Sequence, residues 1–253
     1  MNSNKIALVT GGSRGLGRDM AIQLVKRGLK VVITYNANKT AAEVALSEIK
    51  SNGGEGLVLQ LDTRDTSGFE SFKNNLTEEL HTKWNTSKID FLINNAGFGY
   101  NGTVYDTTEE AFDDLMNVHF KGVYFLTQKL LDAINDNGGI VNISSGLARF
   151  SFPGYSAYAS MKGAIEVYTR YLAKELGERK IKANTVAPGA INTDFNKDRF
   201  EAAPQVVDMI AGMTALGRVG EAEDIGGIVA FLCTEDAAWV NGQRIEASGG
   251  MFV

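Results

Sequence analysis

Cysteine, histidine and proline are scarce in this chain of 253 residues, which has one, two and three of them. The lone Cys233 lies in an apolar run, so no disulfide can form within the chain, and we expect a reducing compartment. His81 and His119 are isolated and lack partners at metal-ligand spacing, so we expect no metal site, and we expect His119 to point away from any active site. With 44% apolar residues and so little proline, the composition argues against long disordered tracts.

Long apolar runs and an excess of basic residues are also missing. The net charge is −5, from 25 basic and 30 acidic residues, and the basic residues are scattered. This argues against nucleic acid or an anionic membrane surface as the main partner. The N-terminal segment is too poor in apolar residues for a signal-peptide core, and no segment approaches a membrane span. We therefore expect a cytoplasmic protein.

Strand-like apolar runs alternate with helical segments along the whole chain, which is typical of a parallel sheet covered by helices on both faces. We predict one Rossmann-type, doubly wound α/β domain over 1–253, with seven strands and right-handed crossovers. The predicted strands are 5–10, 30–35, 56–61, 89–93, 139–144, 182–187 and 243–247. The predicted helices begin after the first glycines and at about 39, 68 and 108 (the last running to 134), then continue with one carrying Tyr158 and others at 198–213 and 221–233.

Unusual residues follow the carboxyl ends of the predicted strands, where doubly wound sheets bind their ligands. Each is unremarkable alone, since any strand-to-helix turn tolerates glycine. Their common placement predicts a single site at one edge of the sheet. In chain order they are Gly11–Gly17, Asp62, Asn94–Gly97, Ser145 and Pro188–Gly189.

Tyr158 and Lys162 lie four residues apart on a predicted helix and so share one face. A phenol has a reference pKa of about 10, and a nearby ammonium favours the phenolate. Moving the pKa down by ~3 units requires roughly 4 kcal/mol of differential interaction. The pair is a candidate proton donor and acceptor, with the alternative of a packed ring beside a solvated amine.

The ordered motifs resemble the classical short-chain dehydrogenases/reductases along essentially the whole chain. They are TGxxxGxG from Thr10, NNAG from Asn94, a serine thirteen residues before the tyrosine of YxxxK, and PGAINTD from Pro188. Within that family the chain looks most like carbonyl reductases and 3-oxoacyl-carrier-protein reductases. The resemblance implies a general acid/base at Tyr158, tuned by Lys162, with Ser145 orienting the carbonyl oxygen and Asn117 holding a water in a proton relay.

The resemblance also implies a dinucleotide site. Its expected contacts are Gly11, Ser13, Arg14, Gly15, Leu16, Gly17, Asn36, Asp62, Thr63, Asn94, Ala96, Gly97, Tyr158, Lys162, Pro188, Gly189, Ile191 and Thr193. NAD binders usually carry an acidic residue about 20 positions beyond the glycines, on the ribose 2′-hydroxyl. Residues 35–38 have no carboxylate there, and Arg14 lies inside the glycine turn. We therefore favour NADP(H), with NAD(H) possible if Arg14 is only solvated and Asn36 binds a free ribose.

Aromatic residues on loops near the expected site suggest an apolar substrate pocket. The candidates are Phe98, Leu147, Phe152, Tyr155 and Phe195, and the segment 194–215 is a candidate lid. Asp132 and Asp136 stand where carrier-protein reductases of the family tend to be basic, which favours a free carbonyl substrate.

The leading hypothesis is an NAD(P)H-dependent oxidoreductase that reduces a ketone or aldehyde reversibly. The first alternative is 3-oxoacyl-carrier-protein reduction, and a remote one is a dinucleotide-binding protein without turnover. The apolar end Met251–Val253 suggests docking onto a neighbouring subunit, and we expect a homotetramer.

Overall fold

A computed structural model describes residues 4–253, with the backbone alone at 197–199. Its seven strands form one parallel sheet in the order β3-β2-β1-β4-β5-β6-β7, which confirms the predicted doubly wound architecture. The first strand is buried along its whole length and the fourth is buried except at Asp90, as expected for parallel strands covered on both faces. The strands are β1 (Ile6–Val9), β2 (Lys30–Tyr35), β3 (Gly56–Gln60), β4 (Ile89–Asn94), β5 (Ile134–Ile143), β6 (Lys182–Pro188) and β7 (Arg244–Ala247).

Nine α-helices are described, and most of them cover the two faces of the sheet. They are α1 (Gly15–Lys26), α2 (Lys39–Ser51), α3 (Phe69–Trp84), α4 (Glu109–Met116), α5 (Gly122–Leu130), α6 (Ser156–Glu175), α7 (Lys197–Ala202), α8 (Pro204–Gly212) and α9 (Glu223–Leu232). None of the helices described is both long and apolar enough to cross a membrane.

The core is divided by the sheet into two apolar layers. Successive residues of a strand face opposite sides, so Leu8 and Val9 of β1 belong to different layers. Helices α1, α2 and α9 pack on the Val9 side, and α3, α5 and α6 pack on the Leu8 side. Both faces are thus closed, and only the ends of the sheet are left to hold a ligand.

The strand order reverses between β1 and β4, and hydrogen bonds of Thr10 link the carboxyl ends of these two strands. Its hydroxyl oxygen lies 3.0 Å from the backbone N–H groups of both Asn95 and Ala96. The Asn95 side chain donates in return to the Thr10 carbonyl oxygen at 2.9 Å. These bonds hold the glycine turn against the NNAG segment at the topological switch point, where open α/β sheets bind ligands.

The structure differs from the prediction of one helix over 108–134 at two points. A π-helical turn (Asn117–Lys121) interrupts the α-helix, and β5 begins at Ile134, five residues before the predicted start at 139. Ile134 pairs with Ile89 of β4, and a register shift separates this pair from the regular ladder. The polar stretch after Ile134 has no strand-like pattern, so its pairing depends on a tertiary contact that the sequence does not reveal.

Candidate active site

A cavity of about 620 Å³ lies beyond the carboxyl ends of the strands and gathers most of the predicted site. Cavities of this size accommodate cofactors and small ligands. The predicted residues that line it are Gly11, Ser13, Arg14, Gly15, Leu16, Gly17, Asn36, Asp62, Thr63, Ala96, Gly97, Phe98, Ser145, Leu147, Phe152, Tyr155, Tyr158, Lys162, Pro188, Gly189, Ile191, Thr193 and Phe195.

One end of the cavity is formed by the glycine turn that leads into α1. Gly11 has φ +66°, a left-handed conformation that suits glycine. A Cβ at Gly17 would lie 2.4 Å from the Gly11 carbonyl oxygen and 2.5 Å from Asn95 Nδ2, so no side chain fits. The N-cap residue of α1, Arg14, makes no side-chain cap. The first N–H groups of α1 are therefore available to an anion, which the positive end of the helix dipole also favours.

The loop after β2 lies beside this turn and carries no carboxylate. Asn36 lines the cavity, and Asn38 is committed to capping α2, since its Oδ1 accepts from the Ala41 N–H at 2.9 Å. Arg14 is 72% exposed at its side chain, and its guanidinium lies 4.0 Å from Asp194. An exposed pair at this distance is weak, so Arg14 is free to turn toward an anion at this end.

Ser145, Tyr158 and Lys162 meet in the wall of the same cavity. The Ser145 hydroxyl accepts from the Leu147 N–H at 3.2 Å and hydrogen-bonds Tyr158. One turn further along α6, the Lys162 ammonium lies 5.5 Å from the Tyr158 ring centroid and donates to the Ile143 carbonyl oxygen at 2.8 Å. Both side chains are buried. A hydroxyl, a phenol and an ammonium are therefore arranged around one point on the cavity surface.

The electrostatics differ from the sequence-based expectation. Burial raises the pKa of Tyr158, and its hydrogen bond from Ser145 offsets this only in part. Burial also lowers the pKa of Lys162 to about 7. Desolvation disfavours the charged form of each group, so the expected lowering of the phenol pKa by Lys162 is wrong for the ligand-free protein. The phenol is protonated at neutral pH, as a proton donor must be.

The other end of the cavity is aromatic. Phe195 lies 6.1 Å from the Tyr158 ring, and Phe152 lies 6.3 Å from Tyr155. Side chains from α7, α8, the chain terminus and the loops that follow β4 and β5 complete this wall. The additional lining residues are Tyr100, Phe150, Phe200, Ile210 and Met251.

Met251 corrects one expectation about the chain terminus. It is buried within its own chain and packs with Phe200 and Ile210, while Phe252 contacts Phe150 at 4.9 Å. Phe252 is nevertheless 45% exposed and Val253 is 90% exposed. Of the apolar terminus, Met251 is therefore part of the cavity wall, and docking of Phe252 and Val253 onto a neighbouring subunit stays a prediction.

Two predicted residues, Asn94 and Asn117, do not line the cavity. The Asn94 amide is buried and donates to Thr127 Oγ1 at 3.0 Å and to Asn142 Oδ1 at 2.8 Å, inside the protein. As the last residue of β4 it points away from the ligand edge, and Asn95 lines the cavity instead. Asn117 is half-buried at the start of the π-helical turn.

His119 is the cavity residue that the sequence analysis placed elsewhere. It is 1% exposed, lines the cavity and lies edge-on to Tyr158 at 5.1 Å. The π-helical turn inserts one residue into the helical repeat, so side-chain directions beyond it differ from those of an α-helix. No pattern in the sequence signals that turn, and the expectation that His119 points away from the site is wrong.

Comparisons with known proteins agree with this architecture. A family model described as enoyl-(acyl carrier protein) reductase matches residues 11–252. The chain is 36% identical over 253 residues to the short-chain dehydrogenase/reductase FrzI of Cladobotryum sp, covering 98% of this chain and 96% of that protein. It is 34% identical over 259 residues to a versicolorin reductase of Emericella nidulans, again covering 98% and 96%.

A solved structure gives the same result. The angucycline C-6 ketoreductase LanV, crystallised with NADP, superposes with a TM-score of 0.94 at 34% identity, over 99% of this chain and 96% of that one. Sequence and structure thus match over nearly the full length of each relative. The chain belongs to the short-chain dehydrogenase/reductase family.

Proposed function

We propose that this protein is an NADPH-dependent ketoreductase that converts a free aromatic ketone into the corresponding alcohol. The observation that carries the proposal is the position of Ser145, Tyr158 and Lys162 in the wall of a cavity whose other end is an uncapped helix N-terminus. A carbonyl placed beside Tyr158 is then within the reach of a dinucleotide whose phosphates lie at the glycine turn. LanV, which is 34% identical, is a ketoreductase by name, and the versicolorin reductase, also 34% identical, is a reductase by name.

The cavity fits a dinucleotide with a 2′-phosphate. The absence of a Cβ at Gly11 and Gly17 lets the turn pack closely against Ala96 and against its own backbone, and the first N–H groups of α1 are free to bind pyrophosphate. Arg14 is the basic residue at the adenosine end, and no carboxylate at 35–38 repels a phosphate. LanV binds NADP. When bound, the reduced nicotinamide supplies a hydride to the carbonyl carbon.

The protein's own residues bind the carbonyl oxygen and supply the proton that it takes up. The Ser145 hydroxyl donates a hydrogen bond to that oxygen and fixes its position. Tyr158, kept protonated by burial, donates its phenolic proton as negative charge develops on the oxygen. The Lys162 ammonium stabilises the resulting phenolate. In the reverse direction the phenolate removes the proton of an alcohol.

The aromatic wall favours a flat, apolar ketone over a carrier-bound thioester. The rings of Phe152, Tyr155 and Phe195 offer faces on which an aromatic substrate packs. An acidic carrier protein requires a basic docking surface. Asp132 is 91% exposed at its side chain and Asp136 is 66% exposed, although each faces one cation, Lys73 and Arg179 respectively.

The segment 194–215 is the part of the wall that we propose moves with the substrate. It contains α7 and α8, and Phe200 and Ile210 turn their side chains into the cavity from it. Its length and position suit closure over a bound ketone.

We further propose a cytoplasmic homotetramer. The support is an exposed apolar surface on α5 and α6, where Tyr124 and Tyr168 stack at 4.5 Å beside exposed Phe125, Val167 and Tyr171. Contiguous apolar surface of this kind marks protein interfaces. A buried free Cys233 is compatible with a reducing compartment. Sedimentation equilibrium tests the assembly, and a monomer at micromolar concentration would contradict it.

A panel of substrates with NADPH and NADH side by side tests the activity. The panel contains aromatic ketones, aliphatic ketones and an acetoacetyl thioester on acyl-carrier protein. We expect the highest kcat/KM for an aromatic ketone with NADPH. Faster turnover of the carrier-bound thioester would favour the reductase of fatty-acid synthesis. Cofactor binding without turnover of any substrate would favour a dinucleotide-binding protein.

A further inference from the structure

Four charged side chains that the mechanism above does not use form one continuous chain of ion pairs behind the cavity wall. Their signs alternate: the Arg244 guanidinium lies 2.6 Å from Glu166 and 2.9 Å from Glu246, and Arg149 lies 2.8 Å from the same Glu246 carboxylate. The two acids are only 14% and 18% exposed at their side chains. Charges this far from solvent interact more strongly than exposed pairs, so the network restrains the segments that carry it.

One end of the network holds the segment that carries Ser145. Arg244 Nη2 lies 3.3 Å from the Ser145 carbonyl oxygen, and the Ser144 hydroxyl donates to Glu166 at 2.7 Å. These two serines directly follow β5, and the second begins the short 3₁₀ turn Gly146–Ala148. A three-residue turn has few backbone hydrogen bonds of its own. Side chains from β7 and α6 therefore restrain the orientation of the Ser145 hydroxyl.

The other end of the network holds the tail that contributes Met251 to the substrate wall. Arg149 Nη2 lies 3.0 Å from Glu246 and 3.3 Å from the Met251 carbonyl oxygen. The Ala215 N–H donates to the Gly250 carbonyl oxygen at 3.2 Å, so the tail is also joined to the end of the candidate lid. The Glu246 carboxylate is therefore the point at which the serine turn and the substrate wall are connected.

We propose that Arg244, Glu246 and Arg149 form a clamp of positioning residues with two arms: Arg244 orients Ser145, and Arg149 holds Met251 in place against the substrate. The inference rests on the proposed ketoreductase function. Neither arginine lines the cavity, so each acts through the backbone carbonyl oxygen that it binds. A guanidinium suits this task, because its N–H donors bind a carboxylate and a carbonyl oxygen at once in a fixed planar arrangement.

The two arms should affect different kinetic constants. The Ser145 hydroxyl must meet the carbonyl oxygen in one geometry, and a misplacement of ~1 Å can lower the rate by ~10²-fold. A shift of Met251 changes only the surface on which the ketone packs. Loss of the first arm should therefore lower kcat, and loss of the second should raise KM.

Two substitutions separate the arms. Arg244→Met removes the bond to the Ser145 carbonyl oxygen while Glu246 keeps Arg149, and kcat for an aromatic ketone should fall by ~10–100-fold with KM within about twofold of wild type. Arg149→Met releases the Met251 carbonyl oxygen instead. KM should then rise by ~2–10-fold, the range of a methionine–aromatic contact, with kcat nearly unchanged. Equal changes in both variants, an unchanged kcat in Arg244→Met or an unchanged KM in Arg149→Met would overturn the proposal.

Arg179→Met is the matched control for a loss of stability alone. Arg179 binds Asp136 at 2.8 Å and the carbonyl oxygens of Leu131 and Ile134 at 2.9 and 2.6 Å, a similar fork at the opposite end of the sheet. All three variants should unfold at a lower temperature than wild type, but only the two in the clamp should change kcat or KM. If Arg179→Met lowers kcat as much as Arg244→Met, the clamp only stabilises the fold and the proposal is wrong.

Hydrogen exchange of backbone amides, measured by mass spectrometry on the ligand-free protein, does not depend on turnover. Arg244→Met should speed exchange in peptides that cover 144–149, and Arg149→Met should do so in peptides that cover 248–252. Arg179→Met should change neither segment. Unchanged exchange at either segment in its own variant would overturn the clamp. If wild type reduces no ketone while these changes occur, the proposed function fails and the clamp still stands.

Discussion

The two ends of the cavity are built by different means. The dinucleotide end is built mainly of backbone, a glycine turn and free helix N–H groups, which the Thr10 hydroxyl holds against the end of β4. The substrate end consists of aromatic and apolar side chains brought from four separate segments. Backbone geometry admits few alternatives, whereas a wall of side chains can change its shape by single substitutions. We therefore expect the first end to bind the cofactor and the second to determine which ketone is accepted.

The largest effect is expected at the point where the two ends meet. Tyr158→Phe removes the proton donor while keeping the ring, and kcat should fall by ~10²–10⁴-fold. The dissociation constant for NADPH should stay within about twofold of wild type, because the ring of residue 158, the glycine turn and the free N–H groups of α1 are kept. Tyr168→Phe is the matched control, since Tyr168 lies on the same helix but outside the cavity and donates to the Tyr124 carbonyl. Full activity in Tyr158→Phe would refute the mechanism.

The second-largest effect is expected in the glycine turn, at the dinucleotide end of the cavity. In Gly17→Ala the new Cβ overlaps the Gly11 carbonyl oxygen, so the turn must open. Overpacking of this kind costs ~1–3 kcal/mol, and NADPH affinity measured by fluorescence titration should fall by ~5–150-fold. Gly227→Ala in α9 adds the same methyl group where nothing lies within 4 Å. If both variants bind NADPH like wild type, the glycine turn is not the cradle.

A smaller effect is expected on the preference for NADPH over NADH, when Arg14 is replaced. Arg14→Leu should raise KM for NADPH by about 3–5-fold and leave KM for NADH nearly unchanged. An exposed ion pair contributes up to ~1 kcal/mol, and 1.4 kcal/mol corresponds to tenfold. Arg27→Leu changes an exposed arginine at the other end of α1 and should have no effect. Parallel changes in both cofactors would show that Arg14 does not bind the 2′-phosphate.

The smallest effect is expected at the substrate end. Phe195 is 45% exposed and packs near Tyr158, so truncation removes only part of an aromatic surface. Phe195→Ala should raise KM for an aromatic ketone by ~2–3-fold without changing the affinity for NADPH. Tyr105→Ala, at a fully exposed site outside the cavity, serves as the control. A loss of NADPH affinity in Phe195→Ala would break the division of the cavity into two ends.

The same division explains what the sequence could predict. The strand order and the glycine turn follow from local patterns, because alternating elements and a strand–glycine–helix unit restrict the backbone to few arrangements. The placement of Met251 and Ile210 depends on contacts between distant segments. The predicted continuous α-helix is wrong at Asn117–Lys121. One extra residue in the π-helical turn directs His119 to the cavity and leaves Asn117 outside it. Asn94 was misplaced for a similar reason, since a one-residue step along a strand changes the face.

The most direct test of the central claim is the fate of the transferred hydrogen. Wild-type protein is incubated with an aromatic ketone and NADPH that carries deuterium at both C4 positions, and the product is analysed by mass spectrometry and NMR. The account predicts one deuterium on the carbinol carbon of each alcohol formed, and no labelled product with Tyr158→Phe beyond its residual rate. An alcohol that lacks deuterium at that carbon, or NADPH that binds and is never consumed, would contradict it.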